Sequence, residues 1–187
     1  MWEATSGLLR SCYRGHPDRV LCVAWSPDGR LLTSGCQNAN RHLWEAASGT
    51  MVYSYKDHAG PVQAVVWSPN GQYIASASHD MTAQIRDASS GQRLHRYQGD
   101  ASPLRMDSVA WSPDGRFLAY GGWSSAIHVR KVTSGKLISR YQEHAHRVVA
   151  VTWSPNGQWL ASGGFDRIVH IWDAASGALV LQYKGHT

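Results

Sequence analysis

His144, Ser162 and Asp166 are the residue types of a nucleophilic triad, in which an imidazole held by a carboxylate draws the proton from a hydroxyl. Used that way, they would make the chain a hydrolase acting through Ser162. A nucleophile also needs exposure and an oxyanion site, and no Gly-x-Ser-x-Gly elbow occurs. The competing use of the same groups is structural. A buried carboxylate needs partners, and a ring nitrogen plus a hydroxyl supply them while tying strands together. The sequence favours this second use, so no catalytic residue is expected.

Other chemistries find less support. Ten histidines invite a metal, above all His144 and His146, which stand two apart and would point the same way on a strand. But His42, His128 and His170 each precede a Trp or Arg by two residues, which marks them as repeated packing positions, and no metal is expected. The "GxxxxGK[ST]" loop that cradles phosphates is absent, and no cofactor is expected. A formal charge of +5 would suit nucleic acid, yet no cluster of five basic residues exists. Single-stranded nucleic-acid binding stays as an alternative, because basic and aromatic residues are only partly interleaved. Cys12, Cys22 and Cys36 are odd in number and lack CxxC spacing, which argues for reduced thiols in a cytoplasmic protein. No run of about 18 apolar residues offers a membrane helix, so no membrane partner is expected. The first residues show no basic start leading into an apolar stretch, so no secretory signal is visible.

What must position these groups is a repeat. "WSPDG" or "WSPNG" begins at Trp25, Trp67, Trp111 and Trp153, spaced 42, 44 and 42 residues apart. Each follows a short apolar run ("VLCVAW", "VQAVVW", "MDSVAW", "VVAVTW") rich in Val, which reads as a strand. Pro pre-sets the turn and Gly takes its left-handed position. Two further strands follow, then a small-residue turn, then a fourth strand ending near Tyr55, Tyr97, Tyr141 and Tyr183. Four strands and four turns fill each period without a helix.

With this period, "SPDG", Gly15-His16, Gly185-His186, Trp172-Asp173 and Trp44-Glu45, the sequence resembles the WD-repeat β-propeller family over essentially its whole length. The resemblance implies an all-β propeller in which each period is one four-stranded blade around a central channel. Blades are expected at 17–56, 59–98, 101–142 and 145–184, with residues 1–16 as an orphan outer strand of a preceding blade. It also implies a His–Ser/Thr–Asp–Trp hydrogen-bond network in each blade. The matching positions are His144, Ser162, Asp166 and Trp172 in blade 4, and His16, Ser34, Asn38 and Trp44 in blade 1. Blade 2 has His58, Ser76 and Asp80, with Arg86 in place of Trp; blade 3 has Asp100, Tyr120, Ser124 and Arg130 and loses the network. Blade 3 also carries two extra residues before Trp111 and is expected to be the least regular.

The resemblance further implies that partners, peptides or protein subunits, dock around the channel mouth on a non-catalytic scaffold. The matching positions are Arg19, Leu21 and Gln37, then Pro61, Gln63 and His79. Blade 3 supplies Arg105, Asp107 and Trp123, and blade 4 Arg147, Val149 and Phe165. Blades of this family commonly close in sevens, about 51° each, so four sweep just over half a circle. Two chains joined head-to-tail would restore closure as an eight-bladed homodimer. The N-terminal strand is expected to swap onto the partner's fourth blade, where it competes with that blade's own outer strand. The phase of the repeats also suggests an excised or engineered piece of a longer array.

Overall fold

The computed structural model describes residues 1–98 and 105–186. Sixteen strands lie in four sheets among these residues, each antiparallel and ordered as its strands come in sequence. The first sheet holds β1 (Val20–Trp25), β2 (Leu31–Cys36), β3 (Arg41–Glu45) and β4 (Met51–Tyr55). The second holds β5 (Val62–Trp67), β6 (Tyr73–Ser78), β7 (Thr82–Asp87) and β8 (Arg93–Gln98). The third holds β9 (Met106–Trp111), β10 (Phe117–Gly122), β11 (Ile127–Lys131) and β12 (Leu137–Tyr141). The fourth holds β13 (Val148–Trp153), β14 (Trp159–Gly164), β15 (Val169–Asp173) and β16 (Leu179–Tyr183). No helix occurs among the described residues, and none is long and apolar enough to cross a membrane.

The repeated turn explains the sheets' common geometry. In the first copy Gly29 takes φ of 69° and its N–H donates to the Ser26 carbonyl at 2.9 Å. The Ser26 hydroxyl donates to Asp28 at 2.5 Å and accepts the Leu31 N–H at 2.9 Å. A left-handed residue there costs glycine little and any other residue about 1–2 kcal/mol. Ser68, Asn70 and Tyr73 repeat the pattern, as do Ser112, Asp114 and Phe117.

Blades pack face to face through their first strands, with β1, β5, β9 and β13 in succession. Two clusters carry the core between blades 2 and 3 and between blades 3 and 4. Ile85, Tyr97, Met106 and Leu118 belong to one, Ile127, Val148, Leu160 and Trp172 to the other. The side chains are buried on both faces of the middle strands, which is why "YIASAS" and "FLAYGG" carry no alternation.

Among the described residues blade 3 keeps a regular four-stranded ladder. Its lost network is rebuilt: Arg130 Nε donates to the Tyr120 hydroxyl at 2.7 Å and Nη1 to the Gly135 carbonyl at 3.1 Å. Asp100 and the two extra residues before Trp111, on which the expected irregularity of blade 3 rested, fall within 99–104, outside the described residues.

Residues 1–16 form no strand, but they are not loose. Trp2 and Leu9 make an isolated antiparallel bridge, and Met1 and Tyr13 pack against Leu32, Trp44 and Ala46 of blade 1.

Candidate functional site

Three arrangements carry polar chemistry among the described residues. One is inside blades 1, 2 and 4, one lies at one end of the first strands, and one is buried between blades 1 and 2.

In blade 4 the His144 Nδ1 stands 2.7 Å from Asp166 Oδ2 and its Nε2 lies 2.8 Å from Ser162 Oγ. The Trp172 indole N–H donates to the same Ser162 Oγ at 2.9 Å. Blade 2 repeats the His58–Asp80 and His58–Ser76 contacts at 2.9 and 2.8 Å, and Thr82 Oγ1 donates to Asp80 at 2.7 Å in addition. In blade 1 His16 Nε2 lies 2.6 Å from Ser34 Oγ, which accepts the Trp44 indole N–H at 3.1 Å. Asn38 instead accepts from the Cys36 thiol, at 2.9 Å, and leaves His16 Nδ1 unpaired.

These groups resemble a triad in order, but Ser34, Ser76 and Ser162 are buried, and in blades 1 and 4 an indole N–H occupies the hydroxyl's lone pair. Burial alone would raise the Asp166 carboxyl. The bond to His144 and the N–H groups of Ile168 and Ala145 outweigh it and hold the group below the usual carboxylate range. Asp80 is held lower still against the same burial, by His58, Thr82 and the Ala59 N–H. An acid stabilised in its charged form by N–H donors at a buried corner is a strand clasp. His144, Asp166 and His170 bring potential metal ligands within 4.8 Å of one another. Both ring nitrogens of His144 are already engaged, so a cation would have to displace Asp166 or Ser162. His146, the other half of the candidate pair, is exposed and lies outside that group.

The second arrangement is built on a bulge. In every blade the first strand skips one residue in pairing with the second: Leu21, Gln63, Asp107 and Val149. A bulge re-aims the side chain it carries and ends the ladder. Just before it, a carbonyl accepts the N–H of the residue preceding the network acid position. Arg19 accepts from Gln37, Pro61 from His79, Arg105 from Trp123 and Arg147 from Phe165, at 2.9, 2.9, 2.9 and 3.0 Å. The twelve face positions are therefore brought together at one end of the inner strands.

They differ from blade to blade. His79 Nε2 meets Asp107 Oδ1 at 3.0 Å across blades 2 and 3. Across blades 3 and 4, cations and rings alternate. The Arg105 guanidinium lies 4.9 Å from the Trp123 ring, Arg147 lies 5.1 Å from its centre, and Arg147 lies 3.9 Å from that of Phe165. Trp123 and Phe165 are 42% and 60% exposed, and the Arg147 Nε is buried with no partner. Aromatic rings held in place by guanidinium groups lose little freedom on binding. Blade 1 contributes only Arg19, Leu21 and the half-buried Gln37, with none of this stacking.

A buried cluster between blades 1 and 2 had no clear signal in the sequence. Arg86, standing in the Trp position, pairs through Nε with Asp57, and Arg41 of blade 1 reaches the same carboxylate at 3.5 Å. Tyr55 lies against both guanidinium groups, with centroids 4.6 and 5.3 Å away. The Arg in place of Trp was legible; that its counter-ion is the residue before His58 was not.

No curated protein matches the chain. The family model for the WD domain, G-beta repeat, matches four times, at residues 7–44, 49–87, 91–130 and 135–173. The last three matches start just before the outer strand of one unit and run to the third strand of the next, and the first starts within the N-terminal segment and ends in β3. Such propellers serve as interaction scaffolds, and the chain belongs to the WD domain, G-beta repeat family.

Proposed function

We propose that the chain is a non-catalytic interaction scaffold that closes head-to-tail with a second copy into an eight-bladed ring. The observation that supports this is the difference between inner and end blades at equivalent positions. Val62 and Val148 are fully buried by the preceding blade, whereas Val20 is 53% exposed. At the other end Tyr141 is 2% exposed beneath the following blade and Tyr183 is 55% exposed. Gly35 and Gly121 pack against the valines of the next blade, while Gly163 faces open space. The two end faces are complementary halves of an interface that the chain makes three times internally. Apolar faces of this kind are rarely left open. Sedimentation of the intact chain should give twice its 20.6 kDa, and Val20→Glu should return it to monomer. A monomer at all concentrations overturns self-assembly and favours a segment of a longer array, whose neighbouring blades would cover the same faces.

The mouth of blades 3 and 4 supports a second element of the proposal, a peptide-binding patch. Arg105, Trp123, Arg147 and Phe165 present aromatic surface and guanidinium N–H groups to one side, a composition that fits a peptide carrying acidic and apolar side chains. Arg105→Ala and Trp123→Ala should leave the fold intact and weaken retention of such peptides. Unfolding in both variants would make these side chains structural instead. A serine-directed probe that labels Ser162 would revive the hydrolase reading, and salt-sensitive binding of short single-stranded DNA the nucleic-acid one. The three free thiols, one of them exposed, fit a reducing, cytoplasmic setting.

A further inference from the structure

The N-terminal segment rebuilds one corner of a blade. Its Trp2–Leu9 bridge has the register of the Trp172–Leu179 pair in blade 4. The Glu3 N–H donates to the Leu8 carbonyl at 2.9 Å and the Gly7 N–H to the Glu3 carbonyl at 2.8 Å. Asp173, Ala178 and Gly177 make the same two bonds at 2.8 and 2.9 Å. Gly7 and Gly177 both take left-handed φ, 67° and 77°. The likeness continues to Tyr13 and Tyr183, followed in both places by a basic residue, Gly and His.

Tyr13 then does for blade 1 what the outer strand of each blade does for its successor. Its ring stacks on Trp44 at 5.0 Å, as Tyr141 stacks on Trp172 at 5.0 Å. Its hydroxyl lies 2.7 Å from His42 Nδ1, and Ser11 Oγ donates to the Ala46 carbonyl at 3.0 Å. The segment thus fills the outer half of the open face of blade 1. It leaves the inner half, Val20, Val23 and Trp25, exposed. A second copy supplying its fourth blade would cover that inner half, and its exposed Tyr183 would need the place on Trp44 that Tyr13 holds.

We propose that residues 1–14 are a removable cap that competes with the outer strand of a second copy for the Trp44 site and thereby sets the affinity of self-assembly. This rests on the head-to-tail reading above. A cap closed about nine-tenths of the time weakens ring closure about a hundredfold, because both copies must be open and each open fraction is about one tenth. It also protects a large aromatic surface in the unassembled chain.

The test compares the intact chain, a variant lacking residues 1–14, Tyr13→Ala and Tyr183→Ala by sedimentation equilibrium, with circular dichroism to verify folding. The cap predicts about a hundredfold tighter dimerisation for the deletion, which frees both faces of the ring, a change in the same direction for Tyr13→Ala, and looser dimerisation for Tyr183→Ala. A second arm uses a labelled synthetic peptide of residues 172–187, which should bind the deletion variant about tenfold more tightly than the intact chain. A dimer loosened by the deletion overturns the cap and shows the strand to have swapped onto the partner. If every variant stays monomeric, self-assembly fails, and the peptide still decides the cap. Equal peptide binding by both chains overturns it.

Discussion

At the scale of single residues, polar groups in this protein are consumed by holding blades together, and their failure modes differ. Asp57 is a carboxylate shared by two guanidinium groups, with Arg41 fully buried. Asp57→Asn would leave both cations without a charge partner at the junction of blades 1 and 2. The expected loss is about 3–5 kcal/mol in urea unfolding, the usual cost of breaking a buried pair from one side; a loss under about 1 kcal/mol would mean the cluster is solvated. The histidines set an acid limit. Burial, with a smaller contribution from stacked His42, lowers His16 to about 4, and burial also lowers His42 and His170. Since the unfolded imidazoles titrate near 6.5, their contribution is complete above that pH and is lost as pH falls towards 4. Asp80 and Asp166 begin to lose theirs where unfolded carboxylates protonate, at about pH 4, and go on losing it below, so their window continues from that of the histidines. Urea midpoints should fall between pH 6.5 and 4, and a midpoint constant across that interval would refute the assignment. His16, Ser34, Trp44 and their counterparts could be read from the sequence because each lies in one blade at a repeated offset. Arg86 with Asp57, and Tyr120 with Arg130, could not, since each is a pair of departures from the repeat that only make sense together.

At the scale of elements, turns were legible and bulges were not. "SPDG" names its own geometry through Pro and Gly. The bulges at Leu21, Gln63, Asp107 and Val149 have no common residue type, because the backbone, not the side chain, makes the extra turn. The β2–β3, β6–β7 and β14–β15 corners hold a further strain. Ala39, Met81 and Arg167 take φ of 73°, 72° and 65°, each directly after the position of the network acid. In blades 2 and 4 that acid accepts the N–H two residues on, from Thr82 and Ile168, which fixes the corner. Arg167 is exposed and its side chain meets no partner among the described residues, so Arg167→Gly should remove strain at little cost. We expect about 0.5–1 kcal/mol of added stability, read as a higher melting temperature. A decrease would show that the corner is already relaxed and that the entropy of glycine dominates.

At the scale of the whole molecule, blades are added one by one, each completing the face of the one before. The sequence conveyed this because its period is long and nearly constant, and the same period puts residues 1–16 in the phase of an outer strand. It did not convey where that segment lies, since the same residues could pair with a partner's blade or fold back on Trp44, and only the packing of Tyr13 distinguishes the two. The consequence is thermodynamic. An assembly that buries Val20, Val23 and Tyr183 binds the folded chain and not the unfolded one, so its free energy adds to stability through mass action. Raising the protein to about 100 times the dissociation constant should therefore stabilise it by about 2.7 kcal/mol. Melting temperature should climb with concentration in the intact chain and stay flat in Val20→Glu, whose carboxylate would be forced against the partner's Gly163. The same rise in both proteins would mean that contacts elsewhere on the surface join the copies.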